Sequence, residues 1–416
     1  MSDPAEAARS ADAVGRNIQL FVLYRVVSRL YFHLPVLFLH LYLVELGLYR
    51  VISLLAIYGL VTTVTSSIGG KLLARFSEKR VVAIGEIMKA SGIVLLLAGT
   101  RLADVDMNLL VLAQIVGGTG FSIALSTDSS LLRTLTGTSG DPSLFMRTQT
   151  RSQSQMFIAT LIAGSTGSIL FDYQAFWPFY ASLLASVTST VLVLLIREPP
   201  VPPRAKGTSG AQSAKPLSLD STQRFWMGFY SLSRAFTLAP FVGFLPFYFI
   251  MVNVDPLLFG AVLGLFTLSA FATSLAVNGF IKRFGVRTLM IATLVCMFGA
   301  MLVLGCSEVL ADHGIDYFVS GLIGISLLGL GSGGVRPATM ANLDLSALDP
   351  LERVALFSRM ERNFGVANGI LLALGAWLLA TAGFQVLMLW LGGLYLLALG
   401  ALFMNNRSVQ ASGSNG

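Results

Sequence analysis

A chain of 416 residues that is 55% hydrophobic and only 12% charged, with a mean hydropathy of +0.75, carries roughly half the charge of an ordinary soluble domain. So few charges cannot coat a globule of this size, which excludes a conventional water-soluble enzyme or binding module. The formal charge of +7 would suit nucleic acid, but the basic residues gather in alternate loops, as in chains that span lipid, so no nucleic-acid partner is expected.

The polar residues 1–17 read as a cytoplasmic tail. The apolar run after them is longer than a signal-peptide core and lacks a small-residue cleavage site, so no cleaved signal is expected. A spanning helix needs about 20 mainly apolar residues. The pattern predicts helices at 18–45, 51–74, 81–101, 107–132, 148–170 and 174–196, then at 223–252, 256–280, 286–307, 317–341, 354–381 and 384–404. The expected fold class is an all-α membrane protein of twelve transmembrane helices in two six-helix, pseudo-symmetric halves, 18–197 and 223–404. A Pro-, Ser-, Gly- and Lys-rich stretch predicts a cytoplasmic linker over 198–222, and 405–416 forms a second cytoplasmic tail. Of 28 Lys and Arg, only Arg50 and Arg101 fall in loops placed outside, which sets both termini in the cytoplasm. Cys296 and Cys306 share one predicted helix, which rules out a disulfide between them while it is intact. No metal-ligand spacing and no phosphate loop followed by Lys-Ser or Lys-Thr is present, so neither a metal, a cofactor nor direct ATP drive is expected.

The halves repeat. Ser28-Arg29 with Pro35 six residues after the arginine matches Ser233-Arg234 with Pro240, at an offset of 205. Arg75-Phe76-Ser77-Glu78-Lys79 matches Arg283-Phe284-Gly285-Val286-Arg287 at an offset of 208. Two matches in the same order at nearly the same offset favour duplication, an arrangement that places a solute site near the midplane where repeats meet.

Between helices two and three the chain reads Gly70-Lys71-Leu72-Leu73-Ala74-Arg75-Phe76-Ser77-Glu78-Lys79-Arg80. Helix four carries Gln114 four residues before Gly118-Thr119-Gly120, then Ala124-Leu125-Ser126-Thr127-Asp128-Ser129-Ser130. These stretches resemble the major facilitator superfamily, and the resemblance runs from helix one to helix twelve. The family's loop reads Gly, three residues, Asp, Arg or Lys, any residue, Gly, then two basic residues. Gly70, Arg75, Lys79 and Arg80 match, while Ala74 replaces the aspartate and Ser77 the second glycine. Helix five has Gly164 and Gly167 but lacks the Gly-Pro pair typical of the family's drug:proton antiporters. The resemblance implies a secondary transporter of the cell inner membrane rather than an enzyme. It also implies gating roles for Gly70, Arg75, Lys79, Arg80 and the repeat mate Arg283, with Asp128 pairing Arg75 and proton coupling as the alternative for Asp128.

Helix one is the most informative stretch: Arg25, Arg29, His33 and His40 lie within an arc of roughly 80° at about 100° per residue. Arg29 falls on the order of 16 Å from the helix start, where a charge costs roughly 2.5–3.5 kcal/mol on the insertion scale. Such a charge calls for a watery cavity or a counter-charge. Arg29 and Arg234 are therefore expected to bind an anionic solute group across a cavity, since guanidinium forks suit carboxylate or phosphate. They resemble the paired arginines of the family's organophosphate:phosphate antiporters. Arg25 either contributes or snorkels toward the surface, and the alternative for each arginine is a tie to neighbouring carbonyls or to Asp128. Tyr31 is a cavity-lining candidate. His33 is either a proton-coupling group or a neutral, hydrogen-bonded histidine. Glu86 and Lys89, three apart, are expected to neutralise each other, with a transport role for Glu86 as the alternative.

The function expected is alternating-access transport of a small anionic or zwitterionic solute, proton- or solute-coupled, by a chain that already holds both halves and is expected to work as a monomer in the bilayer. Two other readings stand beside it, a multidrug-type efflux carrier and a non-transporting receptor or assembly scaffold.

Overall fold

The computed structural model describes residues 4–65, 68–73, 75–101, 104–137, 142–197, 220–343 and 350–413. The predicted linker lies almost wholly outside the described residues. Within them the chain is helical: α1 (Pro4–Val27), α2 (Leu34–Leu43), α3 (Leu48–Thr65), α4 (Ile68–Leu73), α5 (Glu78–Arg101), α6 (Met107–Gly137), α7 (Pro142–Tyr173) and α8 (Trp177–Leu195) come first. Then follow α9 (Ser221–Ala239), α10 (Leu245–Met251), α11 (Phe259–Gly305), α12 (Ser307–Asp312), α13 (Tyr317–Asn342), α14 (Pro350–Ala382) and α15 (Phe384–Gly413). Among the described residues, eleven helical stretches are long and apolar enough to cross a bilayer. The twelfth crossing is the first, made of the end of α1 and the short apolar α2.

That first crossing is not the continuous helix its hydropathy suggests, because Ser28–His33 leave helical geometry. Pro35 has no N–H to donate and disfavours helix in the residue before it, so helical turns restart only at Leu34. Three other helices support the unwound segment. The Ser182 hydroxyl of α8 accepts from His33 N at 3.1 Å, and Lys89 Nζ of α5 donates to the Ser28 carbonyl at 3.3 Å. On α7, Gly167 faces the Phe32 carbonyl so closely that any Cβ would collide with it. Helix seven treats its matching proline differently. Pro240 is absorbed in a single π-turn, Pro240–Phe244, between α9 and α10, and the helix runs on.

The chain divides into two compact units, Met1–Leu34 with Val64–Lys215, and Pro35–Thr63 with Pro216–Gly416. Residues 35–63, which the sequence reading assigns to the first bundle, group with the second unit. The physical cause is close packing: Gly365 and Gly369 of α14 lie against Thr63 and Leu60 of α3, and Gly59 of α3 against Asn368. Small residues permit such approach where no water-driven force brings helices together.

The core of the first unit joins α1, α5, α6 and α8 through Phe21, Tyr24, Val82, Leu131, Leu135 and Val193. There α5 and α6 cross backbone to backbone, since a Cβ on Gly85 would sit 2.8 Å from the Gly120 carbonyl. In the second unit α9 begins at Ser221 with a capping box, Gln223 N donating to Asp220 Oδ1 at 2.6 Å and Asp220 N to Gln223 Oε1 at 3.2 Å. Further along α9, Ser233 hydrogen-bonds Tyr395 of α15 at 3.1 Å. Helices eight and nine join directly in α11 at Gly285, whose φ of 81° suits glycine.

Candidate functional site

The break in helix one removes the continuous basic face expected over Arg25, Arg29, His33 and His40, because the face presumed an unbroken helix. Each residue has its own setting instead. Arg25, in the last turn of α1, does not snorkel: it is 4% exposed. Its Nε donates to Asp128 Oδ2 at 3.0 Å, its Nη1 to Gln149 Oε1 at 2.7 Å and to Ser152 Oγ at 3.0 Å, and its Nη2 to Ser129 Oγ at 3.3 Å. Asp128 therefore pairs with Arg25 and not with Arg75, the partner expected from the family pattern. The reason is position: Arg75 lies exposed in the turn after α4, while Asp128 faces α1 from inside α6.

A second buried pair follows the expected spacing. Lys89 Nζ donates to Glu86 Oε2 at 2.8 Å. The pair is part of a wider network, in which Ser189 Oγ donates to Glu86 Oε2 at 2.8 Å, Tyr24 OH to Oε1 at 3.4 Å, and the Lys89 ammonium lies 5.2 Å from the Tyr31 ring centre.

Arg29 sits in the unwound segment beside both pairs. Its Nη1 donates to Tyr31 OH at 3.3 Å, its guanidinium lies 5.4 Å from the Phe121 ring centre, and its Nε is buried with no hydrogen-bond partner. Among the described residues no carboxylate forms an ion pair with it. A narrow cleft of about 10 Å³, room for about one water molecule, is lined by Arg29, Tyr31, Glu86, Lys89, Phe121 and Asp128, among others. With Arg25 counted as the partner of Asp128, three cations face two carboxylates, and one positive charge remains on Arg29. Backbone unwinding adds polar groups to a place that a continuous helix would keep apolar, a feature that membrane carriers use where a cavity can satisfy them.

His33 is held next to this cleft, its Nδ1 2.8 Å from Ser182 Oγ and its ring against Phe179 at 5.6 Å. His40 is buried in α2.

The second unit has a pair of its own on α9 and α14. Arg234 Nη1 donates to Glu361 Oε1 at 2.5 Å and to Oε2 at 2.7 Å, and Tyr230 OH donates to Glu361 Oε1 at 2.8 Å. The guanidinium lies 4.3 Å from the Phe364 ring centre. Unlike Arg25 and Asp128, these side chains are open, 37% and 43% exposed. Glu361 is absent from the candidates read from the sequence. It lies in a run of alternating charges, Arg359, Glu361 and Arg362, that reads as a solvated helix end. The available signal was its spacing to Phe364, Gly365 and Asn368, three, four and seven residues on, which places it on the packed face of α14.

The loop residues expected to gate have mixed settings. Gly70 lies in α4 and Arg75 and Arg80 are exposed, as is Arg283 beside Gly285. Lys79 Nζ donates to the carbonyls of Leu194 and Ile196 at 3.1 and 2.9 Å, capping the end of α8. Glu78 accepts from Ser130 Oγ of α6. On α13, Arg336 is exposed and the helix continues through Pro337 to Asn342.

Eleven helical stretches among the described residues that are long and apolar enough to cross a bilayer, with a further apolar crossing broken around Arg29, describe a polytopic membrane protein. The Major Facilitator Superfamily model matches residues 23–358, and the chain belongs to that family. Solved structures agree on the fold. A POT family peptide transporter in an auto-inhibited form superposes with a TM-score of 0.75 at 12% identity, over 94% of this chain and 97% of that one. The nucleoside transporter NupG gives 0.72 at 14%, over 94% and 98%, and a D-xylose–proton symporter 0.71 at 14%, over 93% and 97%. No curated protein matches the sequence significantly. Membership of this family makes the chain a transporter of small molecules within a membrane, not an enzyme.

Proposed function

We propose that this carrier moves a small solute bearing a carboxylate or phosphate group by alternating access, with Arg29 as the anchor for that group. The observation that carries the reading is the Arg29 guanidinium, buried in the break of helix one with no carboxylate paired to it among the described residues. An uncompensated charge at this depth is costly, and an anionic ligand in the cleft offsets that cost with charge-assisted hydrogen bonds. Tyr31 and Lys89 border the same space and supply further donors.

Arg234 plays a different part. Its own helix neighbourhood already holds it through Glu361, so solute reaching Arg234 competes with an internal carboxylate. A proton on Glu361 frees Arg234, which couples solute binding to protons. The neighbours with this fold are described as carriers of nucleosides, peptides and D-xylose. Fold is thus common to unlike cargo, and cargo is set by the site. The basic loops support a plasma-membrane protein with both termini in the cytoplasm, and one chain with both repeats supports a functional monomer.

The test is uptake into proteoliposomes of labelled carboxylates, organic phosphates and neutral analogues matched in size. Transport confined to anionic or zwitterionic members, abolished by Arg29→Gln and partly kept by Arg29→Lys, is the expected outcome. Equal transport by the native chain and Arg29→Gln rejects the anchor.

A further inference from the structure

A second feature of the first unit lies outside the polar cleft. Between α1 and α7 a groove of about 510 Å³ runs along the helices. One end is polar, formed by Gln19, Arg151 and Gln155, and the other apolar, formed by Leu23, Leu30, Ile158 and Ile162. Ile158 and Ile162 stand 52% and 57% exposed, so this wall is presented outward and not consumed by the core of the unit.

The polar end lies at Arg151 and Gln155, about one helical turn apart on α7. From Arg151 to Ile162 the groove descends about 16 Å at 1.5 Å per residue, about half of a ~30 Å hydrocarbon core. Its length is therefore that of one leaflet. At the polar end, no carboxylate among the described residues forms an ion pair with Arg151. Gln155 Oε1 is buried with no hydrogen-bond partner. The site thus offers a cation with no ion-pair partner among the described residues, an acceptor that needs a hydroxyl or amine donor, and about one leaflet's depth of apolar wall.

We propose that this groove is a specific site for a bilayer glycerophospholipid with an anionic, hydroxyl-bearing headgroup, of the phosphatidylglycerol kind. The phosphate rests on Arg151, a headgroup hydroxyl donates to Gln155, and an acyl chain lies along Ile158, Ile162 and Leu23. A zwitterionic choline headgroup fits less well: its phosphate already has an ammonium beside it, which weakens its hold on Arg151, and it carries no donor for Gln155. The inference stands apart from the solute anchor, since none of these residues lines the cleft at Arg29.

The full chain carrying Ile162→Trp is reconstituted in phosphatidylcholine bilayers in which either phosphatidylglycerol or phosphatidylcholine bears brominated acyl chains, and the emission of the unsubstituted protein is subtracted. Brominated phosphatidylglycerol is expected to occupy the site about fivefold more strongly than brominated phosphatidylcholine, the selectivity of roughly one basic residue near a membrane surface. The preference is expected to vanish on adding Arg151→Gln, to survive Arg151→Lys, and to be absent for a tryptophan placed on α8 by Val187→Trp, at a position 48% exposed. Equal quenching by both lipids at Ile162→Trp, the same preference at Val187→Trp, or no quenching by either lipid overturns the proposal.

Discussion

Helix one and helix seven begin from the same short sequence, a Ser-Arg pair six residues ahead of a proline, and fold differently. Around Arg29 the chain unwinds over Ser28–His33, and no carboxylate among the described residues forms an ion pair with the arginine. Around Arg234 the helix stays wound, Pro240 is absorbed in a π-turn, and Glu361 holds the guanidinium through both of its oxygens. A duplicated motif has thus given one cation in need of an anion and one cation that already has one. A repeat locates equivalent residues, but the neighbours on other helices decide their chemistry.

The largest expected effect comes from the pair that does not take part in this contrast, Arg25 and Asp128. Removing one partner of a buried pair leaves an uncompensated charge, so Asp128→Ala is expected to lower stability in detergent by about 3–5 kcal/mol, and replacing both residues with apolar ones to restore much of it. Thermal unfolding of the three variants checks this. Arg29→Gln is expected to do the reverse: little change in stability, but roughly 10- to 100-fold weaker binding of an anionic solute, the worth of a hydrogen bond to a charged group, measured by equilibrium binding. Gly167→Ala on α7 sharpens the comparison through the backbone. Its new methyl collides with the Phe32 carbonyl, and such overpacking costs about 1–3 kcal/mol, read as a lower melting temperature. The smallest change in stability is expected for Glu361→Gln, about 1 kcal/mol or less for an exposed pair, while solute accumulation driven by a pH gradient is lost and solute exchange kept. A large loss of stability in Glu361→Gln would make that pair structural and erase the contrast.

Much of the architecture was legible because lipid imposes a simple code. Apolar length, basic loops and the repeated Ser-Arg and Arg-Phe motifs gave the crossings, and the Glu86–Lys89 pair followed from helical spacing alone. The break at Ser28–His33 was not legible, although Pro35 was in view. Pro240 sits in the same local sequence without breaking its helix, and the difference is made by Ser182, Lys89 and Gly167 on three other helices. Partner choice was legible only as an alternative, a tie of an arginine on helix one to Asp128. Asp128 takes Arg25 and not Arg75 because α6 turns it toward α1, a direction no loop motif encodes. Glu361 was masked by its charged neighbours Arg359 and Arg362, because nothing in that run shows that the carboxylate meets Arg234 of α9.

The most direct measurement is a thermal-shift titration of the purified chain and of Arg29→Gln with pairs of compounds, each a free carboxylate and its uncharged methyl ester. Ligand that binds the native state raises its apparent stability by mass action. The account predicts a rise in melting temperature with the free acid of at least one pair, none with its ester, and no rise with either in Arg29→Gln. A carboxylate that stabilises the native chain and Arg29→Gln alike, or an ester that matches its acid, would contradict it.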